Sequence, residues 1–442
     1  MAEGTTMVEI IGKEIIKPSS PTPPHLESYK LSFLDQLCPA IYTSIVLFYP
    51  KNDDAKSDQI SHHLKKSLSE ALTRFYPLVG RIINGTTIDC KGNGVPFVEA
   101  KFNGFLSTLL DQPDSQVLKQ LVPAKNESPE AGTGPLMLIQ ATFFNCGGLV
   151  LGVCMSHKVA DAATISMVLK GWASCSNGGD CTYVPDFSVA SHFPPRELPL
   201  EPLPAAATEH DQELKKEVEN CVTKRYVFEK LTIAALKAKA ASDEVKQPTR
   251  VEVITALIWK CAIKALRLSS SSNSKLHKHC VLVQLVNIRK RVEPPFPENS
   301  FGNLLGYLTV QSGYEDKQEL GGLVSKLRKA IKDYSENKAK KLRGKEALEL
   351  HLNGPKEPGD LVSSDDVSPF FSASWCNFGF YEVDFGWGRP IWATRIISPF
   401  ENSMALLDTR EGDGVEVLLT LSKETMAAFE RDTELLQFAS PF

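Results

Sequence analysis

In the stretch SHKVADAAT, residues 156–164, His157 and Asp161 stand four positions apart. A neutral imidazole with a pKa near 6.5 is suited to taking a proton from an alcohol as that alcohol attacks an acyl carbon. The spacing alone is weak evidence. The chain has nine histidines, and with aspartate at roughly 5% of residues about half a chance H-x-x-x-D match is expected. By itself, His157 reads either as a general base at a strand end or as a polar residue satisfied in a loop. Asp161 sits where an N-cap belongs, because helical periodicity resumes behind it at Ile165, Val168 and Leu169. A second candidate is Asp384-Phe385-Gly386-Trp387-Gly388, an acid among two glycines and two aromatics. Glycines so placed mark a tight turn or a close backbone approach. A structural corner is the plain reading of Asp384.

These residues need elements to hold them. LVLGVCM, before His157, is strand-like, as is PLMLIQATFF, and the intervening Asn145-Cys146-Gly147-Gly148 is a hairpin signal. Ile60, Leu64, Leu68, Leu72 and Phe75 form one helical stripe. TRVEVITALIWKCAIKAL reads as a buried helix with Thr249 near its start. KHCVLVQLVNIRKR, EVDFGWGRPIWATRII and NSMALLDTREGDGVEVLLTL are strands, the last split by a Gly-Asp-Gly turn. Pro194, Pro195, Pro199, Pro202 and Pro204 punctuate an extended crossover near 185–215. Residues 353–366 read as a loop, and the basic run ENKAKKLRGKEAL before it as a solvated segment. The whole predicts an α/β protein of two domains with mixed sheets and helices in each.

Composition excludes several classes. At 442 residues and a net charge of −4, no strong field favours nucleic acid or an anionic membrane. No apolar run approaches the ~18 residues of a membrane span, and the N-terminus carries no signal-peptide pattern. The ten cysteines are expected to be reduced, mostly buried thiols of a cytoplasmic protein, with Cys175 and Cys181 closest in sequence. His62-His63 and His277-x-His279 lack carboxylate ligands at useful spacing, so no metal site is expected. No phosphate-cradling glycine loop is present either.

SHKVAD and DFGWG in this order, with FYPLVGRI, NIRKRVEPPFPENSFGN and REGDGVEV, resemble the plant BAHD acyl-CoA-dependent acyltransferases along the whole chain. Within that family the likeness is nearest to alkaloid O-acetyltransferases, through LFYP, GVPFVEA and SWCNFGFYEVDFGWG. The resemblance implies two chloramphenicol acetyltransferase-like domains with an active-site channel between them. The expected N-terminal domain is 1–190, joined by a returning segment 366–398. A crossover linker 191–220 and a C-terminal domain 221–442 follow.

The resemblance also implies roles. His157 would be the general base of a direct, ternary-complex transfer, and Asp161 would pair with Arg289 and shape the site. Trp375 would either aim its indole N–H at the thioester oxygen or simply pack. Trp387, Asp384, Gly386 and Gly388 would be structural. Thr249 and Arg250 would lie near the CoA phosphates. No permanent cofactor is implied, only acetyl-CoA as donor and a small-molecule alcohol, an alkaloid, as acceptor. The enzyme is expected to be a monomer. A benzoyl- or hydroxycinnamoyl-CoA donor, or a non-catalytic binding protein on the same scaffold, are the alternatives.

Overall fold

The computed structural model describes residues 7–52, 54–178, 181, 183–196, 220–269, 279–313, 319–342, 367–396 and 400–441. Most of the expected crossover, the loop 353–366 and His277 lie outside these residues. The chain divides into two compact units. The first comprises 1–198, 297–304 and 378–398, the second 199–296, 305–377 and 399–442.

The first unit is built on a mixed six-stranded sheet in the order β1-β6-β7-β8-β3-β13. These are β1 (Val8–Ile16), β3 (Tyr42–Tyr49), β6 (Val95–Phe102), β7 (Met137–Phe144), β8 (Leu149–Ser156) and β13 (Trp392–Thr394). The middle strands β3, β7 and β8 are buried on both faces, and so they read as near-continuous apolar runs. Edge strand β1 buries only its ends. The β7–β8 reversal is the hairpin expected at Asn145–Gly148, with Gly147 at φ 84°. A small sheet joins β2 (Ser28–Lys30), β4 (Arg81–Ile83) and β5 (Thr87–Asp89).

Helices α2 (Ser57–Arg74) and α5 (Ala162–Ser176) pack on one another. The stripe of α2 is buried as its spacing requires, from Ile60 to Phe75. Gly171 of α5 lets the Phe75 ring approach, since a Cβ there would lie 2.6 Å from it. Tyr42, Val46, Phe48, Phe102, Val150 and Trp392 belong to one further apolar core, shared with α3 (Leu106–Asp111).

The second unit carries a seven-stranded sheet in the order β11-β10-β12-β14-β15-β9-β16. Its strands are β9 (Cys221–Phe228), β10 (His279–Asn287), β11 (Leu305–Gly313), β12 (Val367–Ser374), β14 (Ser403–Asp408), β15 (Val415–Ser422) and β16 (Ser440–Pro441). The pairs β10–β12 and β12–β14 are parallel and the rest antiparallel. One long helix, Arg250–Ser269, is buried along most of its length. Thr249 begins it with a reciprocal cap: its N–H and Oγ1 donate to Glu252 Oε2, and Glu252 N donates back to Thr249 Oγ1.

The units differ from the sequence expectation in three ways. The return to the first unit starts at 378 rather than 366, because β12 is locked into the second sheet by parallel ladders on both sides. Residues 297–304, expected in the C-terminal domain, belong to the first unit. Cys175 and Cys181 are joined in a disulfide, with Cα atoms 4.5 Å apart, which corrects the expectation of reduced thiols throughout. The chain turns back after α5 at Gly178, φ 68°, and brings the two together.

Candidate active site

His157 occupies the first residue after β8, in a tight turn closed by Val159 N–H donating to Ser156 O. Its backbone is held on both sides. His157 N donates to Ile41 O at 2.8 Å, and His157 O accepts from Asn303 Nδ2 at 2.8 Å. The residue is half-buried, and its Nδ1 lies 3.1 Å from Asn303 Oδ1.

Asn303 is itself buried, and its amide can face only one way. Nδ2 lies against two groups that only accept, the His157 carbonyl and Asp35 Oδ1, the latter at 2.9 Å. Oδ1 therefore faces the imidazole, and His157 Nδ1 must carry the hydrogen. Nε2 is left with its lone pair, as a general base requires. Burial pushes the His157 pKa below its ordinary value. The field of Asp161 opposes this shift and that of Arg395 adds to it.

Asp161 is turned to another task. It caps α5, with Oδ1 accepting from Thr164 N at 2.9 Å, while Oδ2 accepts from Leu304 N at 3.0 Å. Thr164 Oγ1 donates to Gly302 O at 2.8 Å and accepts from Gly302 N at 3.2 Å. One carboxylate and one hydroxyl at the start of α5 thus fasten residues 302–304 beside the histidine turn. Gly302 has φ 119°, which only glycine adopts without strain.

The DFGWG segment forms a separate corner of the same unit. Asp384 Oδ1 accepts from Gly386 N at 2.8 Å and Gly388 N at 2.9 Å, with both glycines at positive φ. Three residues from neighbouring elements hold its backbone. Tyr49 Oη donates to Val383 O, Asn177 Nδ2 to Asp384 O and Ser176 Oγ to Phe385 O. Trp387 stacks on Phe385 and meets Tyr49 and His63 edge-on, a packing role.

Trp375, Arg289, Thr249 and Arg250 lie in the second unit. Trp375 follows β12, is 6% exposed, and its backbone N–H donates to Leu406 O. Arg250 donates to Asp408 Oδ1, Asn377 Oδ1 and Gly412 O. Arg289 follows β10 and is buried; its pairing with Asp161 stays an expectation of the resemblance. Sequence reasoning missed Asn303 and Asp35. The signal for Asp35 was Ser32-x-x-Asp35, a capping box before the apolar-edged α1 (Phe33–Leu37). Nothing in the sequence pointed from Asn303 to His157, 146 positions away.

Known proteins are similar to this chain along nearly its whole length. A model of the Transferase family matches residues 6–436. The chain is 37% identical to a limonoid 21-O-acetyltransferase of Melia azedarach, over 98% of each chain. It is also 37% identical to stemmadenine O-acetyltransferase of Catharanthus roseus, over 96% of each. The crystal structure of vinorine synthase superposes with a TM-score of 0.81 at 34% identity, covering 98% of each chain.

Proposed function

The chain belongs to the Transferase family, the BAHD acyl-CoA-dependent acyltransferases, and from that premise we propose that it is an O-acetyltransferase. It moves acetyl from acetyl-CoA to a hydroxyl of a plant alkaloid, with His157 as the base. The observation that carries this reading is the imidazole whose Nδ1 is tied to Asn303 Oδ1, leaving Nε2 basic.

A thioester is already activated, so the reaction needs no enzyme nucleophile. Nε2 takes the proton of the acceptor hydroxyl as its oxygen attacks the thioester carbon. The C–S bond then breaks, and the same nitrogen returns the proton to the leaving thiolate. Trp375 as donor to the thioester oxygen, and Thr249 and Arg250 near the CoA phosphates, belong to this proposal through the family resemblance. Arg250 comes to that role already held by Asp408.

The acceptor has a second reading. Relatives named for a limonoid and for an alkaloid are equally similar to this chain, at 37% identity. A terpenoid alcohol is therefore tested beside alkaloids. The protein is proposed to act as a cytoplasmic monomer. Among the described residues no helix is long and apolar enough to cross a membrane.

The test is an acceptor and donor matrix. Acetyl-, benzoyl- and coumaroyl-CoA are offered with hydroxylated indole alkaloids and limonoids, and products are read by mass. A gain of one acetyl group on an alkaloid is expected. Transfer only from an aromatic acyl-CoA would overturn the donor assignment. CoA binding without any product would favour a binding protein.

A further inference from the structure

We propose that Asp35 is a positioning residue for the reaction, selecting the tautomer of His157 through the amide of Asn303. The inference rests on His157 being the base, and it concerns a residue far away in sequence that is not expected to touch substrate. Asp35 is 1% exposed and accepts from four donors of its own unit. Ser32 N and Ser32 Oγ donate to Oδ2, at 2.9 and 2.6 Å. Asn303 N and Asn303 Nδ2 donate to Oδ1, at 2.7 and 2.9 Å.

The first pair of bonds is a helix cap, completed by Asp35 N donating to Ser32 Oγ. The second pair has no part in capping α1. It fixes a distant segment and sets which end of the Asn303 amide meets the imidazole. A flipped amide would point Oδ1 at a carboxylate and at the His157 carbonyl together, two contacts between acceptors in a buried place. The carboxylate contact is the costlier, because hydrogen bonds to charged groups are the stronger ones. With the amide flipped, Nδ2 would instead meet His157 Nδ1 and require it to be bare. The hydrogen would then sit on Nε2, and the base would be lost. Asp35 therefore excludes the inactive tautomer.

An amide in place of the Asp35 carboxylate, as in Asp35→Asn, weakens this preference, because it is uncharged and has no orientation free of a donor–donor contact. Turned one way, the new amide N–H group meets the donor Ser32 N–H. Turned the other way, it meets the two donors of Asn303. The comparison that separates this role from capping is Ser32→Ala. That change removes the acceptor for Asp35 N and the Oγ donor to Oδ2, but leaves both bonds from Asn303 to Oδ1 in place.

The experiment reads the tautomer directly, by long-range proton–nitrogen correlation spectra of protein carrying nitrogen-15 histidine. The His157 signals are identified by their loss in His157→Gln. In the wild type, Nδ1 is expected protonated and Nε2 bare; the reverse would overturn the proposal, even if every variant at Asp35 failed to fold. Asp35→Asn is expected to mix the tautomers and lower kcat about ten-fold or more, with KM within about two-fold. Ser32→Ala is expected to lower the melting temperature while leaving the tautomer and kcat near wild type. On an Asn303→Ala background, Asp35→Asn should cost kcat less than about two-fold, because its route to the imidazole is already cut. Equal costs on both backgrounds, or an unchanged tautomer in Asp35→Asn, would reduce Asp35 to a helix cap. If no acyl transfer is found with any substrate, the spectra still decide the tautomer question separately from the reaction.

Discussion

At the residue scale, the two members of H-x-x-x-D do different work. His157 is aimed by Asn303, and Asp161 commits both carboxylate oxygens to backbone N–H groups. Asp161→Asn must place an amide N–H against one of those donors. We expect a loss of stability of about 1–3 kcal/mol, read as a lower denaturation midpoint. At temperatures where the variant is folded, kcat should fall much less than in His157→Ala; a stable variant with a large loss of kcat would contradict this. Burial lowers the His157 pKa, so at any given pH more of the imidazole is neutral than in a free histidine. The acid limb of kcat/KM should therefore lie below the ordinary histidine value of 6.5, and a midpoint above it would contradict the assigned environment. The motif itself was legible because helix periodicity resumes right after Asp161. Asn303 was not, because a single asparagine in a polar segment carries no pattern. Only the fold brings it to the imidazole.

At the scale of elements, α5 serves at both ends. Its N-terminus, through Asp161 and Thr164, fastens residues 302–304, and its C-terminal Ser176, with the following Asn177, holds the DFGWG corner. Asp384→Ala leaves the Gly386 and Gly388 N–H groups without their acceptor. A loss of about 1–3 kcal/mol is expected. Because the corner is tied to α5, activity should fall through stability, with kcat near wild type at low temperature. A selective loss of kcat in the folded variant would instead give Asp384 a direct role. Just beyond α5, denatured protein without reductant should titrate as the eight free cysteines, against the ten of the sequence after reduction. Ten thiols without reductant would remove the Cys175–Cys181 bond. The helices and most strands were legible from periodicity. The apolar pattern around DFGWG suggests one strand, whereas only Trp392–Thr394 forms one, because Asp384 and two positive-φ glycines hold the preceding residues in a turn.

At the scale of the whole molecule, neither unit is a continuous length of chain. The first takes 297–304 and 378–398 from the later half, and β13 from the second of these pairs antiparallel with β3. A fragment of residues 1–198 would lose the strand beside β3 and the Asn303 amide beside His157, so it is expected to be insoluble or molten when expressed alone. A monomeric, cooperatively melting fragment would contradict this. Two α/β units were legible from the alternation of strand and helix patterns and from the proline-rich stretch between them. The excursion of 297–304 was not, since its ties to the first unit are single contacts without a period: Phe301 packs on Tyr29 and Phe187, Ser300 bonds Asp186, and Gly302, Asn303 and Leu304 bond Thr164, Asp35 and Asp161. Everything proposed for the reaction depends on His157 Nε2 taking the acceptor proton itself. Turnover of acetyl-CoA and a responsive alcohol by wild type and His157→Ala decides this, once each protein is shown to fold and to bind CoA. Unchanged CoA affinity and a loss of at least about 100-fold in kcat are expected; turnover within about three-fold of wild type would take the base role away from His157.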